Sequence, residues 1–248
     1  MRMRKRHNLE PRMEKCADLM INEPENMKGR WKTDFPRFGH IQLEIGCGKG
    51  RFTADTAEAM PDTLIIAIEK VPDAMIIAME RVKERGLENV RFIDGDAAKL
   101  KEMFENGELE RVYINFCDPW PGKKHAKRRL THGNFLKLYR KVLAENAQIH
   151  FKTDNQPLFE FSAEEIPQFG FTLSEVTRNL HENGPVGVMT DYEAKFYAEG
   201  LKINRLRAIK NKDTKTTAHG EVPRLHNSAL RDARGYEESK AANNEENR

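Results

Sequence analysis

Short apolar runs recur along the chain between residues 41 and 153, and each is long enough for one buried strand. Strands that are buried on both faces of a parallel sheet appear in sequence as near-continuous runs of Val, Ile, Leu and Phe. The runs predicted to be strands are 41–45, 63–69, 90–93, 112–116 and 148–153.

Amphipathic segments separate these runs. Apolar side chains share one helical face at Val71, Ala74, Met75, Ala78, Met79 and Val82, and Gly86 is expected to end that helix. Further helices are predicted over 51–60 and 135–143, and two more strands over 171–178 and 195–201 with little helix between them. Because strands that alternate with helices form βαβ units, the pattern predicts an α/β fold. It is a doubly wound, mostly parallel seven-stranded sheet with an antiparallel C-terminal hairpin.

The two ends of the chain differ from this pattern. Residues 1–39 are charged and irregular, with basic side chains at Arg2, Arg4, Lys5 and Arg6. Residues 207–248 are dominated by Lys, Asn, Glu, Thr and Arg, a composition that buries too little apolar surface to offset the entropy lost on ordering. We therefore expect one domain over 1–206, with the basic segment 1–39 included, and a polar, flexible tail over 207–248.

Composition narrows the class of protein. The 248 residues are 38% hydrophobic and 33% charged, which is enough apolar content for one sizeable core. The apolar runs are too short to span a bilayer, the N-terminus lacks an apolar signal region, and three cysteines are too few for a disulfide framework. We expect a soluble cytoplasmic protein without membrane contact. Since the net charge is +3, affinity for nucleic acid must come from local clusters.

A carboxylate stands at the end of each strand predicted for the parallel part of the sheet. These acids are Glu44, Glu69, Asp96, Asp118 and Asp154. Helix capping explains any single acid in such a place, but five in five strands is harder to attribute to capping. Because ligands of open α/β sheets bind beyond the carboxyl ends of the strands, these acids are expected to surround a ligand.

The first strand leads into a loop that contains Gly46, Gly48 and Gly50. The dinucleotide fingerprint G-x-G-x-x-G/A is not met, because Arg51 stands where its third small residue belongs. A carboxylate at Glu44 would repel a pyrophosphate, whereas it suits a ligand with a cationic amino-acid end. The loop therefore favours S-adenosylmethionine (SAM) over NAD, with Glu69 accepting from the ribose hydroxyls and Asp96 from the adenine amine.

The fourth strand is followed by the segment Asp118-Pro119-Trp120-Pro121, whose prolines stiffen the loop and stop the strand. This rigidity would hold Asp118 and Trp120 over the methyl group of the cofactor. A stiff strand exit with a packing tryptophan explains the same residues. A D-P-P-Y loop, as in methyltransferases of amino groups, is a third interpretation, although Trp120 replaces its second proline.

A basic segment comes next. It comprises Lys123, Lys124, His125, Lys127, Arg128 and Arg129, with no acid among them. A run of charge is most often a solvated face, but this one adjoins the candidate site. RNA phosphates are the polyanion that such a segment would hold.

Taken together, these motifs resemble the bacterial tRNA (guanine-N7-)-methyltransferases. The resemblance rests on the glycine loop, the D-P-W-P and K-R-R segments, Phe151-Lys152-Thr153-Asp154-Asn155 and Thr190-Asp191-Tyr192-Glu193-x-Lys195-Phe196, in order within residues 1–206. It implies a Rossmann-like class I SAM-dependent methyltransferase that modifies a guanine in the tRNA variable loop. The chain departs from the family at Gly122, where a lysine is usual, and Lys123 is the nearest replacement.

The resemblance also implies residue roles. SAM contacts are implied at Glu44, Gly46, Gly48, Gly50, Glu69, Asp96 and Asp118. Asp118 is the implied catalytic residue. Substrate contacts are implied at Lys123, Asp154, Thr190, Asp191, Tyr192 and Glu193, and RNA contacts at Lys124, His125, Lys127, Arg128 and Arg129. As structural alternatives, Asp154 caps the following helix and Glu193 pairs with Lys195.

Guanine N7 carries a lone pair and no proton, so its methylation needs no general base. We therefore expect Asp118 to orient the base and to stabilise its developing positive charge. Two other functions stay open: a catalytically silent tRNA-binding protein that keeps the SAM pocket, and a methyltransferase of an exocyclic amine. No metal site is expected from the spacing of the histidines, and the oligomeric state, monomer or homodimer, is left open.

Overall fold

Seven strands form one sheet in a computed structural model of the chain, which describes residues 8–212. The strands are β1 (His40–Ile45), β2 (Thr63–Glu69), β3 (Val90–Asp94), β4 (Leu109–Asn115), β5 (Leu143–Thr153), β6 (Phe171–Thr177) and β7 (Asn204–Lys210). Their order is β3-β2-β1-β4-β5-β7-β6. β7 is antiparallel to both of its neighbours, and the pairs among β1 to β5 are parallel. The predicted α/β fold, mostly parallel with antiparallel C-terminal strands, is confirmed.

Helices cover both faces of the sheet. They are α1 (Leu9–Lys15), α2 (Trp31–Asp34), α3 (Arg51–Ala59), α4 (Pro72–Glu84), α5 (Leu100–Met103), α6 (Gly133–Val142), α7 (Gln156–Gln168) and α8 (Asp191–Ala198). Alternate residues of β2 supply the two apolar layers: Leu64 and Ile66 pack in one, Ile65 and Ala67 in the other. This explains why the strand is apolar at nearly every position. Within residues 8–212, no helix is long and apolar enough to cross a membrane.

The segment before β1 is more ordered than its charged sequence indicated. Besides α1 and α2, it contributes Trp31, whose ring is fully buried and whose indole N–H donates to the Met103 carbonyl at 2.9 Å. This bond satisfies the polar end of the indole inside the core. Residues 1–7, which carry the basic cluster, lie outside the described residues.

The strand predicted over 195–201 is wrong, because that region forms the end of α8 and the turn after it. A capping box starts α8: the Glu193 N–H donates to Thr190 Oγ1, while the Thr190 N–H donates to the Glu193 carboxylate. Gly200, with φ of 71°, follows the helix in the left-handed conformation. The two C-terminal strands are therefore not joined by a tight hairpin.

The last strand, β7, begins at Asn204 and continues to Lys210, four residues beyond the boundary expected at 206. Alternate side chains of β7 are buried, at Leu206, Ala208 and Lys210 among them. The polar composition of this strand hid it from the sequence pattern. The rest of the predicted tail, 213–248, lies outside the described residues, and the division of the chain at 206 into a domain and a flexible tail stays a prediction.

Candidate active site

A cavity of about 820 Å³ opens at the carboxyl ends of β1, β4 and β5. The glycine loop forms one wall, and Asp118 lies on the loop after β4. The opposite wall is formed by Asp154 and by the start of α8 at Thr190, Asp191 and Tyr192. The volume lies in the range of pockets that bind small molecules, and most of the predicted site segments meet here.

Glu44 lies at the bottom of this cavity. Its side chain is almost fully buried, since the residue is 1% exposed. Thr53 Oγ1 donates to one carboxylate oxygen at 2.6 Å and Asn115 Nδ2 to the other at 3.4 Å. Burial raises the pKa of Glu44 to about 7, although these two donors oppose the shift. At neutral pH the carboxyl group therefore titrates instead of being permanently charged.

The glycine loop turns sharply out of β1. Gly50 has φ of 75°, and a Cβ placed on it would lie 2.3 Å from the Ala78 side chain on α4. Glu69, at the end of β2, accepts from the Gly48 N–H at 2.8 Å and also from the Lys70 and Val71 N–H groups. Glu69 thus braces the loop from behind, and it is not among the residues that line the cavity.

Asp96 follows β3 and caps the short 3₁₀ helix at Ala97–Lys99 by accepting from the Ala98 N–H at 2.9 Å. Its second oxygen lies 2.7 Å from Lys70 Nζ. Burial would raise the pKa of Asp96, but the Ala98 N–H and Lys70 outweigh it and lower that pKa. Like Glu69, Asp96 lies beside the cavity and not on its lining.

The loop after β4 holds two non-glycine residues in the left-handed region, Phe116 with φ of 52° and Trp120 with φ of 43°. Such conformations cost about 1–3 kcal/mol each and persist where the surroundings enforce them. Arg129 supplies part of that support, because its guanidinium donates to the carbonyls of Pro119 and Trp120 at 3.2–3.4 Å. Asp118, between the two strained positions, is exposed at the cavity.

The basic segment forms a 3₁₀ helix over Lys123–Arg128 beside this loop. Lys123, Lys124 and Lys127 are exposed. The Arg128 guanidinium lies 4.8 Å from the centre of the Trp120 ring, and His125 packs near the same ring. Arg128 and Arg129 keep their positive charge but are fixed in position, the first by stacking on Trp120 and the second by the carbonyls of the loop.

Asp154 and Tyr192 lie side by side on one wall of the cavity. The Tyr192 hydroxyl donates to Asp154 Oδ2 at 3.4 Å, and its ring packs against Phe116 with centroids 5.2 Å apart. Burial, followed by the charge of Asp154, raises the pKa of Tyr192. The alternative that Asp154 caps α7 is wrong: Asn155 is the cap, and its side chain accepts from the Leu158 N–H.

Glu193 is fully buried behind the start of α8. One carboxylate oxygen lies 2.5 Å from Lys152 Nζ and the other 3.0 Å from His181 Nε2. His181 Nδ1 accepts from the Val186 N–H, so Nε2 carries the proton that is donated to Glu193. Glu193 was expected to contact substrate or to pair with Lys195; it does not line the cavity, and its cationic partner is Lys152.

Asp191 pairs with Arg81 of α4, with N–O distances of 3.0 and 3.4 Å. This contact joins the start of α8 to the helix that packs against Gly50. Together with the Lys152–Glu193 pair, it fixes the side of the cavity that carries Thr190 and Tyr192.

Cys47 and Cys117 lie beside the cavity. Burial raises the pKa of the Cys117 thiol to about 12 and that of Cys47 well above its ordinary value. Both are therefore protonated thiols, and neither is activated as a nucleophile. Within residues 8–212, no three His, Cys, Asp or Glu side chains are grouped to hold a metal ion.

The residues at the bottom of the cavity fit the amino-acid end of SAM. Asn115 Oδ1 is buried and has no hydrogen-bond partner within residues 8–212, and its amide nitrogen is committed to Glu44. A buried acceptor without a donor is costly. An ammonium group would supply donors to Asn115 Oδ1 and to the Glu44 carboxylate together.

Five residues of this site were given no role from the sequence: Thr53, Arg81, Asn115, Lys152 and His181. Thr53 and His181 act through buried carboxylates, and Arg81 through Asp191. Lys152 carried a usable signal, because a lysine within an apolar strand is seldom buried unless it is paired. Its partner, 41 residues away in sequence, could not be read from spacing.

Residues 39–206 match the family described as "Putative methyltransferase". A tRNA (guanine-N(7)-)-methyltransferase of Bacillus velezensis is 44% identical over 206 residues, covering 83% of this chain and 95% of the relative. One of Geobacillus kaustophilus is 41% identical over 211 residues, covering 85% and 97%.

Solved structures share the fold at low sequence identity. An antibiotic-related methyltransferase has a TM-score of 0.55 at 19% identity, covering 74% of this chain and 94% of its own. A 16S rRNA (adenine(1408)-N(1))-methyltransferase from Catenulisporales acidiphilia, solved with its cosubstrate SAM, has a TM-score of 0.51 at 13% identity, covering 79% and 95%.

Proposed function

This chain belongs to the family of tRNA (guanine-N(7)-)-methyltransferases, and we propose how its residues carry out the reaction. It is a SAM-dependent enzyme that methylates N7 of a guanine in tRNA. The observation that carries the residue assignments is the single cavity where the glycine loop, Asp118, Asp154 and the start of α8 meet, next to a basic helix. We infer that the guanine lies in the variable loop of the tRNA. We also propose that the protein works in the cytoplasm, because its three cysteines are free and a reducing compartment keeps them so.

Glu44 and Asn115 receive the ammonium end of SAM. Gly46 and Gly48 leave room for the ligand to approach the loop backbone, whereas Gly50 lines the cavity and packs closely against Ala78 of α4. Glu69 and Asp96 lie beyond the lining, and we assign the ribose to Glu69 and the adenine amine to Asp96, because a carboxylate keeps acceptor capacity after its first hydrogen bonds. When bound, SAM supplies an electrophilic methyl carbon on its sulfonium.

Asp118 acts on the base and on its charge. N7 attacks with a lone pair that bears no proton, so no group has to remove one. The methylated base becomes cationic, and the exposed carboxylate of Asp118 stabilises that charge as it develops. The stiff loop, with its strained Phe116 and Trp120, holds the carboxylate in place before the base arrives.

Asp154 and Tyr192 hold the guanine on the opposite wall, because Asp154 can accept from the donor edge of the base and the Tyr192 ring is exposed for contact. Thr190 and Asp191 complete this wall. Glu193 has a different role: it fixes these residues from behind through Lys152 and His181. Lys123 is exposed at the start of the basic helix, where it replaces the lysine missing at Gly122.

The tRNA backbone lies along the basic helix. Lys124 and Lys127 bind phosphates, with His125 and Arg128 around the Trp120 ring. Arg129 supports the catalytic loop as well as adding positive charge. We propose that no metal ion takes part, and either assembly, monomer or homodimer, is compatible with this site.

Incubation of the purified full chain with methyl-labelled SAM and unmodified tRNA tests this assignment. After digestion to nucleosides, label should appear in N7-methylguanosine. Label in an N-methylated exocyclic amine would favour the other methyltransferase, and tRNA binding without any labelled nucleoside would favour a silent binding protein. Titration calorimetry with S-adenosylhomocysteine and NAD as separate ligands tests the cofactor assignment.

A further inference from the structure

A second, smaller cavity of about 200 Å³ lies next to the candidate active site, and we call it the arginine groove. Phe52 and Asn115 line both cavities, so the two are neighbours on the sheet. The floor of the groove is one face of three adjacent strands. It is formed by Arg111 and Tyr113 of β4, His150 and Lys152 of β5, and Arg205 and Arg207 of β7.

The groove is strongly positive. Three guanidinium groups line it, and no carboxylate occurs among its lining residues in the described part of the chain. Lys152 is paired with Glu193, so its charge is compensated. Glu175 of β6 pairs with both Arg205 and Arg207 from the side, which leaves one carboxylate opposite three arginines. Burial, and then the charges of Arg111, Arg207 and Arg205, lower the pKa of His150 to about 2, so the imidazole stays neutral.

The hydrogen-bonding capacity of these arginines is largely unused. The Nε atoms of Arg111, Arg205 and Arg207 are buried and have no partner within residues 8–212. Arg111 donates one bond, to the Tyr113 hydroxyl at 3.0 Å, and the other two donate to Glu175. Guanidinium groups bind phosphates in bidentate geometry. A cluster with spare donors, excess charge and an adjoining cavity matches an anion of that kind.

We propose that the arginine groove binds a backbone phosphate of the tRNA, next to the nucleotide that enters the active site. This rests on the proposed function, which places the target base in the active-site cavity. The groove adjoins that cavity at Phe52 and Asn115. It adds a second RNA contact on the sheet face, separate from the basic helix at Lys123–Arg128. The charged groups of the groove carry the contact, so it does not depend on base identity.

The salt dependence of tRNA binding by the full chain tests the proposal. A contact with one phosphate contributes about 0.7 to 0.9 to the slope of log affinity against log salt. Arg207→Gln, at a side chain that is 33% exposed, should weaken binding and lower the slope by about that amount. Glu175→Gln removes the carboxylate that competes for Arg205 and Arg207, so binding should tighten and the slope should rise. A merely damaged fold would not tighten binding.

The matched control is Arg37→Gln, because Arg37 is another carboxylate-paired arginine, 72% exposed and away from both cavities; it should leave the slope unchanged. An unchanged slope in both groove variants would overturn the proposal. The proposal would also be overturned if inorganic phosphate binds through Arg207 in a calorimetric titration while the tRNA slope stays constant. A third contrary outcome is that the groove variants change only the oligomeric mass of the protein and not the tRNA slope. The tRNA affinity is measured without methyl transfer. If no methyl transfer occurs, the proposed function is rejected, but the salt dependence of binding still tests the groove.

Discussion

The ammonium of Lys152 lies 2.5 Å from the carboxylate of Glu193, and the two side chains are 9% and 0% exposed. Lys152 stands two residues before Asp154 at the end of β5, while Glu193 directly follows Tyr192 on α8. Because the pair is buried, its geometry fixes the distance between Asp154 and Tyr192, which line one wall of the active-site cavity. His181, whose side chain is 3% exposed, lies in the loop after β6 and donates a further hydrogen bond to Glu193.

Replacing Glu193 by Gln should strongly destabilise the protein, because it leaves the Lys152 charge buried without its partner. Loss of one member of a buried pair costs about 3–5 kcal/mol, and we expect a fall of about 3 kcal/mol in the free energy of unfolding in urea. Glu199→Gln is the matched control at the C-terminal end of the same helix, since Glu199 pairs with exposed Lys195; its effect should stay within about 0.5 kcal/mol. Equal effects would contradict the role of the buried pair.

The stability contributed by Glu44 should fall as pH rises. Its pKa is about 7 in the folded protein and near 4.5 when exposed, so between these values the folded state binds a proton that the unfolded state does not. Burial of the carboxylate then costs about 3 kcal/mol at pH 8 relative to pH 4. Glu44→Gln carries no titrating group at this position. Urea unfolding at several pH values should therefore show the free energy of unfolding of the variant rising relative to that of the wild type as pH increases.

Thr53→Val provides the companion measurement to Glu44→Gln. It removes the hydroxyl that donates to Glu44 and holds its pKa down. The pH range over which stability declines should therefore extend upward. Parallel stability curves for wild type and Glu44→Gln would show that Glu44 does not titrate in this range.

Asp118→Asn should lower kcat by about 100-fold or more, because one preorganised electrostatic contact in the transition state is removed. The KM for SAM should change little. Asp94→Asn is the control, since Asp94 is an exposed acid at the end of β3 and does not line the cavity. An unchanged kcat in Asp118→Asn would contradict this role.

Arg129 and Lys127 should behave differently although both belong to the basic segment. Arg129→Gln removes the donors to the carbonyls of Pro119 and Trp120, each charge-assisted bond being worth about 1.5–3 kcal/mol. We expect kcat to fall at least tenfold as the loop relaxes. Lys127→Gln should instead raise the KM for tRNA and reduce its salt dependence. Steady-state kinetics at two salt concentrations separates these outcomes.

The sequence predicted most of the sheet because its strands are buried on both faces and therefore apolar. The run at 63–69 matches β2 residue for residue. β7 escaped detection because it alternates arginines with buried residues, and its arginines face the groove instead of a helix. The capping box at Thr190 and Glu193 was visible in the sequence, and it would have corrected the strand predicted over 195–201.

The site was predictable in its chain segments and less so in its contacts. The acids at the strand ends do gather at one edge, as the topology of parallel strands requires. Spacing could not show that Glu69 braces the glycine loop or that Glu193 turns inward, because those contacts depend on partners distant in the chain. Glu193 and Lys195 are close in sequence, yet the buried partner of Glu193 comes from β5.

The placement of β7 between β5 and β6 has a consequence for how the protein is made. β6 pairs with β7 and not with β5, so during translation it emerges before its neighbour exists. The part of the sheet formed by β5, β7 and β6 can close only after Lys210 has left the ribosome. Until then β5 and β6 expose unpaired edges, which are prone to aggregation. A nascent chain stalled before Asn204 should therefore depend on chaperones.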